Sequence, residues 1–253
     1  MVWPSLKGKQ QTLVSEEQKA ITNQPWSTFL ALLWLGGLAI AALSLWSFVA
    51  LAQQVFQATT LAFDQTTLLW LHNHHQNWLT LVAIAITWIG EPGILLGICL
   101  VLSGALCSRR RWQEAIWLLL GAGGALGLNT WLKLLFSRAR PSLWERVVSV
   151  DYYSFPSGHA MVSLVVYGLL TYWLIRRWPQ HRWSMVAGYG GLVWAIGLSR
   201  LYLGVHWPTD VLAGYAAGVV WLVVVLLGFN GLAYWRGDRA IALQPAQPTD
   251  PTD

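Results

Sequence analysis

Six long apolar runs dominate the chain, at about residues 28–52, 78–107, 112–136, 158–177, 183–203 and 209–235. Each approaches or exceeds the ~20 residues that an α-helix needs to cross a hydrocarbon core about 30 Å thick. The second run is interrupted by Gly90-Glu91-Pro92-Gly93, which fits either a kinked span or a re-entrant pair of short helices. One kinked span is the preferred reading, because six crossings then agree with the distribution of charge. Residues 61–77, outside the membrane in this scheme, are mildly amphipathic and predict a helix or loop packed on the membrane surface. This stretch carries His72, His74 and His75. No carboxylate or cysteine joins them at ligand spacing except the distant Asp64, so no metal site is read here and the three histidines are given no role.

The flanks differ from the runs. The first 27 residues are polar and mixed in charge, and the expectation is a cytoplasmic tail leading into an uncleaved signal-anchor helix. Residues 28–235 would then form one membrane domain. Residues 236–253 end in the polar, proline-rich "QPAQPTDPTD" and are expected to be a disordered cytoplasmic tail.

Composition supports the membrane reading. The chain is 55% hydrophobic and only 11% charged, against about 25% charged in an ordinary soluble domain. Its 18 tryptophans suit the water–lipid boundary, where an apolar ring with one polar edge is favoured. A net charge of +5 could point to nucleic acid, but no basic stripe interleaved with exposed aromatics supports that partner. Cys99 and Cys107 lie in one apolar run, roughly 12 Å apart along a helix, too far for a disulfide. They are read as packing residues.

The sixteen lysines and arginines set the orientation, since cytoplasmic loops are enriched in them. With the N-terminus inside, eleven fall on the cytoplasmic side: Lys7, Lys9, Lys19, Arg109, Arg110, Arg111, Arg176, Arg177, Arg182, Arg236 and Arg239. The other five, Lys133, Arg138, Arg140, Arg146 and Arg200, gather at outer span ends or in one outer loop. These five call for a reason of their own.

Three polar clusters reach that outer face: "KLLFSRARP" (133–141), "FPSGHA" (155–160) and "SRLYLGVHWPTD" (199–210). Ionisable groups near a bilayer are costly and usually functional. Lys133, Arg140 and Arg200 are fixed cations of the kind that suit phosphate oxygens. Ser157 and Gly158 open a helix whose first N–H groups and dipole favour an anion, with glycine allowing close approach. His159 and His206 supply acid–base or nucleophilic chemistry. Pro208 suits the first turn of the last helix and brings Asp210 behind His206, where it could fix the imidazole tautomer. A phosphoryl group attacked by one histidine, with the other protonating the leaving oxygen, fits this set. The cations would stabilise the transition state, so no metal or other cofactor is called for. Chemistry alone does not decide which histidine attacks. Arg138 and Arg146 are read as interfacial anchors or secondary phosphate steering, while Glu145 and Asp151 stay unassigned.

The spacing K-x(6)-R-P, P-S-G-H and S-R-x(5)-H-x(3)-D, complete and in order, resembles the signature of the type 2 phosphatidic acid phosphatase superfamily. That superfamily also includes vanadium haloperoxidases and bacterial acid phosphatases. The likeness spans roughly residues 60–235. It implies an all-α core of six membrane helices and metal-independent phosphate release through a phosphohistidine. It further implies that His206 is the nucleophile, Asp210 its partner and His159 the acid, with Lys133, Arg140, Ser157, Gly158 and Arg200 holding the phosphate. The expected function is a lipid phosphatase at the outer face of the cell (inner) membrane, acting on a lipid phosphate from the bilayer. Undecaprenyl diphosphate leads as substrate, with phosphatidylglycerol phosphate and phosphatidic acid as alternatives. A non-catalytic phospholipid binder or transporter is the competing class. The His206–Asp210 pair argues against it, since binding needs no oriented nucleophile.

Overall fold

The computed structural model describes residues 25–144 and 153–242, and every regular element among them is helical. In chain order these are α1 (Pro25–Phe56), α2 (Leu61–His72), α3 (Asn77–Ile89), α4 (Pro92–Ser108), α5 (Trp112–Phe136) and α6 (Gly158–Arg177). A 3₁₀ turn (Pro179–His181), α7 (Arg182–Tyr202) and α8 (Pro208–Ala242) follow. The chain divides into a first unit, Met1–Ile40, and a second, Ala41–Asp253, which contains every residue of the site described below.

Helices α5 and α6 have the expected bounds, 112–136 and 158–177. The interrupted run becomes two helices bent by 42° at Gly90-Glu91. Helix α8 runs on to Ala242, past the expected end at 235, because the arginines and alanines there are good helix formers despite their polar company. The tail expected from 236 is therefore helical at its start, while residues 1–24 and 243–253 lie outside the described residues. Among the described residues, four segments are long and apolar enough to cross a membrane: Trp34–Phe56, Trp112–Phe136, Gly158–Arg177 and Pro208–Leu232. The bent α3–α4 pair would make a fifth. Helix α7, the remaining expected span, has 21 residues but is made less apolar by its serines, tyrosines and terminal arginines.

Burial is arranged as in a protein dissolved in lipid. Large apolar side chains such as Leu43, Trp46, Val101, Trp131, Leu134 and Trp194 face outward, whereas Asp64, Asn129, Ser157, Arg200, His206 and Asp210 are buried. Lipid accepts the former, and the interior must pair the latter. Helix α6 is apolar almost all round, and its buried residues include Met161, Val162, Leu164, Val165, Val166 and Leu169. That places it centrally, packed on α4, α5, α7 and α8. A core of Leu95, Leu118, Val162, Val165, Leu169 and Val225 ties these helices together.

Helix α8 approaches α6 closely at Gly214. A Cβ there would lie 2.7 Å from the carbonyl oxygen of Ser157 and 3.0 Å from Cβ of Ala160. Backbone cannot yield as a flexible side chain can, so Gly214→Ala should cost about 1–3 kcal/mol through overpacking. It should also disturb the Ser157–Gly158 turn. Thermal unfolding of the detergent-solubilised variant and its phosphatase rate should fall together.

Candidate active site

The site grows from the hairpin between α7 and α8. Gly204 N–H bonds the Leu201 carbonyl (2.9 Å) and Val205 N–H the Arg200 carbonyl (3.2 Å), closing a tight turn. Pro208 then occupies the first helical position, where its missing N–H costs nothing. Asp210, two residues on, reaches back to accept the Trp207 N–H at 2.9 Å. The same oxygen, Oδ2, lies 3.3 Å from Nδ1 of His206. On the other side of the ring, Nη1 of Arg140 lies 3.3 Å from His206 Nε2 and donates to the Val205 carbonyl at 2.7 Å. A guanidinium can only donate, so Nε2 is the acceptor and Nδ1 carries the proton toward Asp210. The lone pair of Nε2 thus lies on the ring edge away from the carboxylate, where it accepts the long 3.3 Å contact from Arg140. Burial, followed by the charges of Arg140, Arg200 and Lys133, holds the His206 imidazole well below the ordinary histidine range, which keeps it neutral.

His206 looks into a cavity of about 560 Å³ whose walls also include Lys133, Arg140, Gly158, His159 and Arg200. Six of the eight expected residues therefore share one cavity. The other two stand just behind it. Asp210 is fully buried against His206, and Ser157 is fully buried at the entry to α6. The Ser157 hydroxyl and Nε of Arg200 are buried without a hydrogen-bond partner. A buried donor left unpaired costs about 1–3 kcal/mol, so both suit an anion that brings its own acceptors. The N–H of Ser157 is spent on the Asp210 carbonyl at 2.9 Å, which ties the start of α6 to that of α8. The first turn of α6 leaves the following N–H groups without intrahelical partners.

Several contributors were not singled out from the sequence. Asn129 of α5 donates to the Pro156 carbonyl at 3.1 Å, holding a segment in which the Phe155–Pro156 bond is cis. Its Oδ1 lies 2.8 Å from where a Cβ on Gly158 would stand, so the glycine is required by Asn129 as well as by any ligand. Glu91 and Pro92, at the break between α3 and α4, line the same cavity. The Glu91 carboxylate is pinned there by accepting the Ile94 N–H at 2.9 Å. The signal for this was a carboxylate beside proline and glycine inside an apolar run. Arg138 is neither an interfacial anchor nor a phosphate-steering group: it ion-pairs with Asp64 (2.7 Å) and Asp210 (2.6 Å). Its neighbours in the motif face the cavity while it points behind it, a distinction that spacing does not encode. Arg146, Glu145 and Asp151 lie outside the described residues.

His74 packs on Trp70 and its Nδ1 is bonded to the Trp70 carbonyl at 2.7 Å, whereas His72 and His75 belong to a separate aromatic cluster. His72 stacks on Trp144 with ring centroids 4.3 Å apart, and His75 Nε2 is bonded to the Tyr202 carbonyl at 2.7 Å. Through Trp144 and Tyr202 they join the end of α2 to the loop after α5 and to the end of α7.

Comparison with known proteins identifies the family. The PAP2 superfamily profile matches residues 114–233. Phosphatidylglycerophosphatase B of Bacillus subtilis is 33% identical over 158 residues, covering 61% of this chain and 77% of that protein. The chain belongs to the PAP2 superfamily. As a PAP2 phosphatase it also resembles the crystal structure of a transmembrane PAP2-type phosphatidylglycerolphosphate phosphatase from Bacillus subtilis. That match has a TM-score of 0.70 and 30% identity and covers 76% of this chain and 96% of the other. A shorter match, 41% identical over 68 residues (26% of this chain, 29% of the other), is to an undecaprenyl-diphosphatase of Sulfolobus acidocaldarius. This PAP2 chain is a membrane protein.

Proposed function

We propose that the chain is a membrane lipid phosphatase that works through a phosphohistidine at His206. The observation that carries the proposal is the placement of His206, with Nδ1 against Asp210 and Nε2 beside Arg140 in a cavity lined by three cations. In the first step Nε2 attacks phosphorus and the bond from phosphorus to the lipid oxygen breaks. The leaving oxygen takes a proton from His159, and Asp210 offsets the charge that develops on the His206 ring. In the second step water attacks phosphorus and gives a proton to His159. The N–P bond then breaks and inorganic phosphate is released. Lys133, Arg140 and Arg200, with the Ser157 hydroxyl and the N-terminus of α6 at Gly158, supply the positive potential at the equatorial oxygens.

Phosphatidylglycerol phosphate is the favoured substrate, because the 33% identical Bacillus subtilis protein and the solved structure matched at a TM-score of 0.70 are both named as phosphatases of that lipid. Undecaprenyl diphosphate, favoured on sequence alone, rests on the shorter match. Leu126 and Leu134 in the cavity wall, with Leu134 exposed on the outside of α5, suit a head group entering sideways while its tails stay in lipid. Six crossings, both termini cytoplasmic and the site on the outer face complete the proposal. The purified protein should release phosphate from phosphatidylglycerol phosphate in EDTA, with vanadate inhibiting. A faster rate on undecaprenyl diphosphate would overturn the substrate assignment. Protonating His206 removes the nucleophile, and its proton affinity is depressed. The acid limb of kcat/KM should therefore fall below pH 6.5, the ordinary histidine value.

A further inference from the structure

Behind the His206–Asp210 pair lies a second layer that does not line the cavity. Asp64, in the first turn of α2, is fully buried. Arg138 forks between the two acids: Nη2 donates to Asp64 Oδ2 at 2.7 Å and Nη1 to Asp210 Oδ1 at 2.6 Å. Nη1 also donates to the Thr209 hydroxyl at 2.8 Å. That hydroxyl donates in turn to Asp64 Oδ2 at 2.8 Å, and the Thr209 N–H donates to Asp64 Oδ1 at 3.1 Å. The guanidinium lies 5.4 Å from the centre of the Trp207 ring. Asp210 is thus held at both oxygens, Oδ1 by Arg138 and Oδ2 by the Trp207 N–H and His206.

Charge accounting explains why a second acid is present. Arg138 paired with Asp210 alone would form a neutral unit, and Asp210 would have little charge left to balance a His206 ring made cationic by the N–P bond. With Asp64 on the other fork, the three residues carry a net charge of −1 behind the nucleophile. On the opposite side His206 faces Lys133, Arg140, Arg200 and His159, with Glu91 elsewhere on the cavity wall. We infer that Asp64 and Arg138 are positioning residues for His206 acting through Asp210, Arg138 fixing the carboxylate and Asp64 preserving its effective charge. This rests on the phosphohistidine reading above.

The test compares Asp64→Asn, Arg138→Lys and Arg138→Met in the full chain, purified and monodisperse in detergent, with phosphatidylglycerol phosphate. Asp64→Asn keeps the shape and removes one negative charge. It should lower kcat about 10- to 100-fold, the scale of loss when an outer partner supporting a histidine is removed, with KM within about twofold. Because His206 then holds a proton less readily, its acid limb should move down by about half a pH unit or more. Arg138→Met removes the cation between two buried carboxylates and should move the limb up, with Arg138→Lys recovering part of the rate. A merely structural role would lower rates without opposite displacements of the limb. Unmoved limbs, or a kcat unchanged in Asp64→Asn, overturn the inference while His206→Ala remains inactive. Activity surviving in His206→Ala would remove the phosphohistidine reading and this inference with it.

Discussion

His206→Ala is expected to reduce phosphate release by at least about 10⁴-fold, with the protein still folded and still able to bind vanadate. The ring is fully enclosed, with 1% of its surface exposed, and no other described side chain shares its position between Asp210 and Arg140. His159 lines the same cavity but lacks a carboxylate at the back of its ring among the described contacts, so it should not substitute as nucleophile. Steady-state phosphate release together with vanadate protection against thermal unfolding checks both halves of this expectation. A phospholipid binder or transporter would instead show vanadate binding and no turnover in the unaltered protein.

Arg200→Leu should separate activity from stability. Arg200 is 3% exposed. It donates from Nη1 to the Thr87 hydroxyl, and its Nε is buried without a partner. It shares a cavity with Lys133 and Arg140, so three cations are held together before any anion arrives. Removing it should lower kcat/KM about 10²- to 10³-fold, the usual loss when a donor to the developing charge is deleted. It should also relieve like-charge repulsion and raise the midpoint of thermal unfolding, the familiar trade between function and stability. In the unaltered protein a saturating anion should reverse that order. Vanadate at a hundred times its Kd contributes about 2.7 kcal/mol of stabilisation, and most of this should vanish in Arg200→Leu. Arg200→Lys should recover little, because an ammonium cannot reproduce the fork.

The residues most legible in the sequence were those whose meaning is local. Lys133 and Arg140 stand out as charges at the end of an apolar run. His206 and Asp210 are four residues apart across a helix start, a spacing that nearly guarantees contact. The bounds of α5 and α6 followed from run length alone. What could not be read depended on which helices become neighbours. Asp64 and Arg138 are separated by 74 residues, and nothing in either segment announces the other. Asn129 looks like one polar residue on an apolar helix until Pro156 is placed beside it. The Gly90–Gly93 break was visible, yet that its carboxylate would line the cavity depended on α4 packing beside the start of α6. Helix α8 continued past its expected end because helix propensity persists where hydropathy stops.

The most direct test of the central claim is to trap the covalent intermediate. Protein mixed with a lipid phosphate labelled in its terminal phosphate, quenched within milliseconds in alkali and cleaved into peptides, should carry label on the fragment containing His206. That label should be stable to alkali and lost in acid, and absent from His206→Ala. Label on the fragment containing His159, or rapid turnover that leaves no labelled protein at any quench time, would contradict the account.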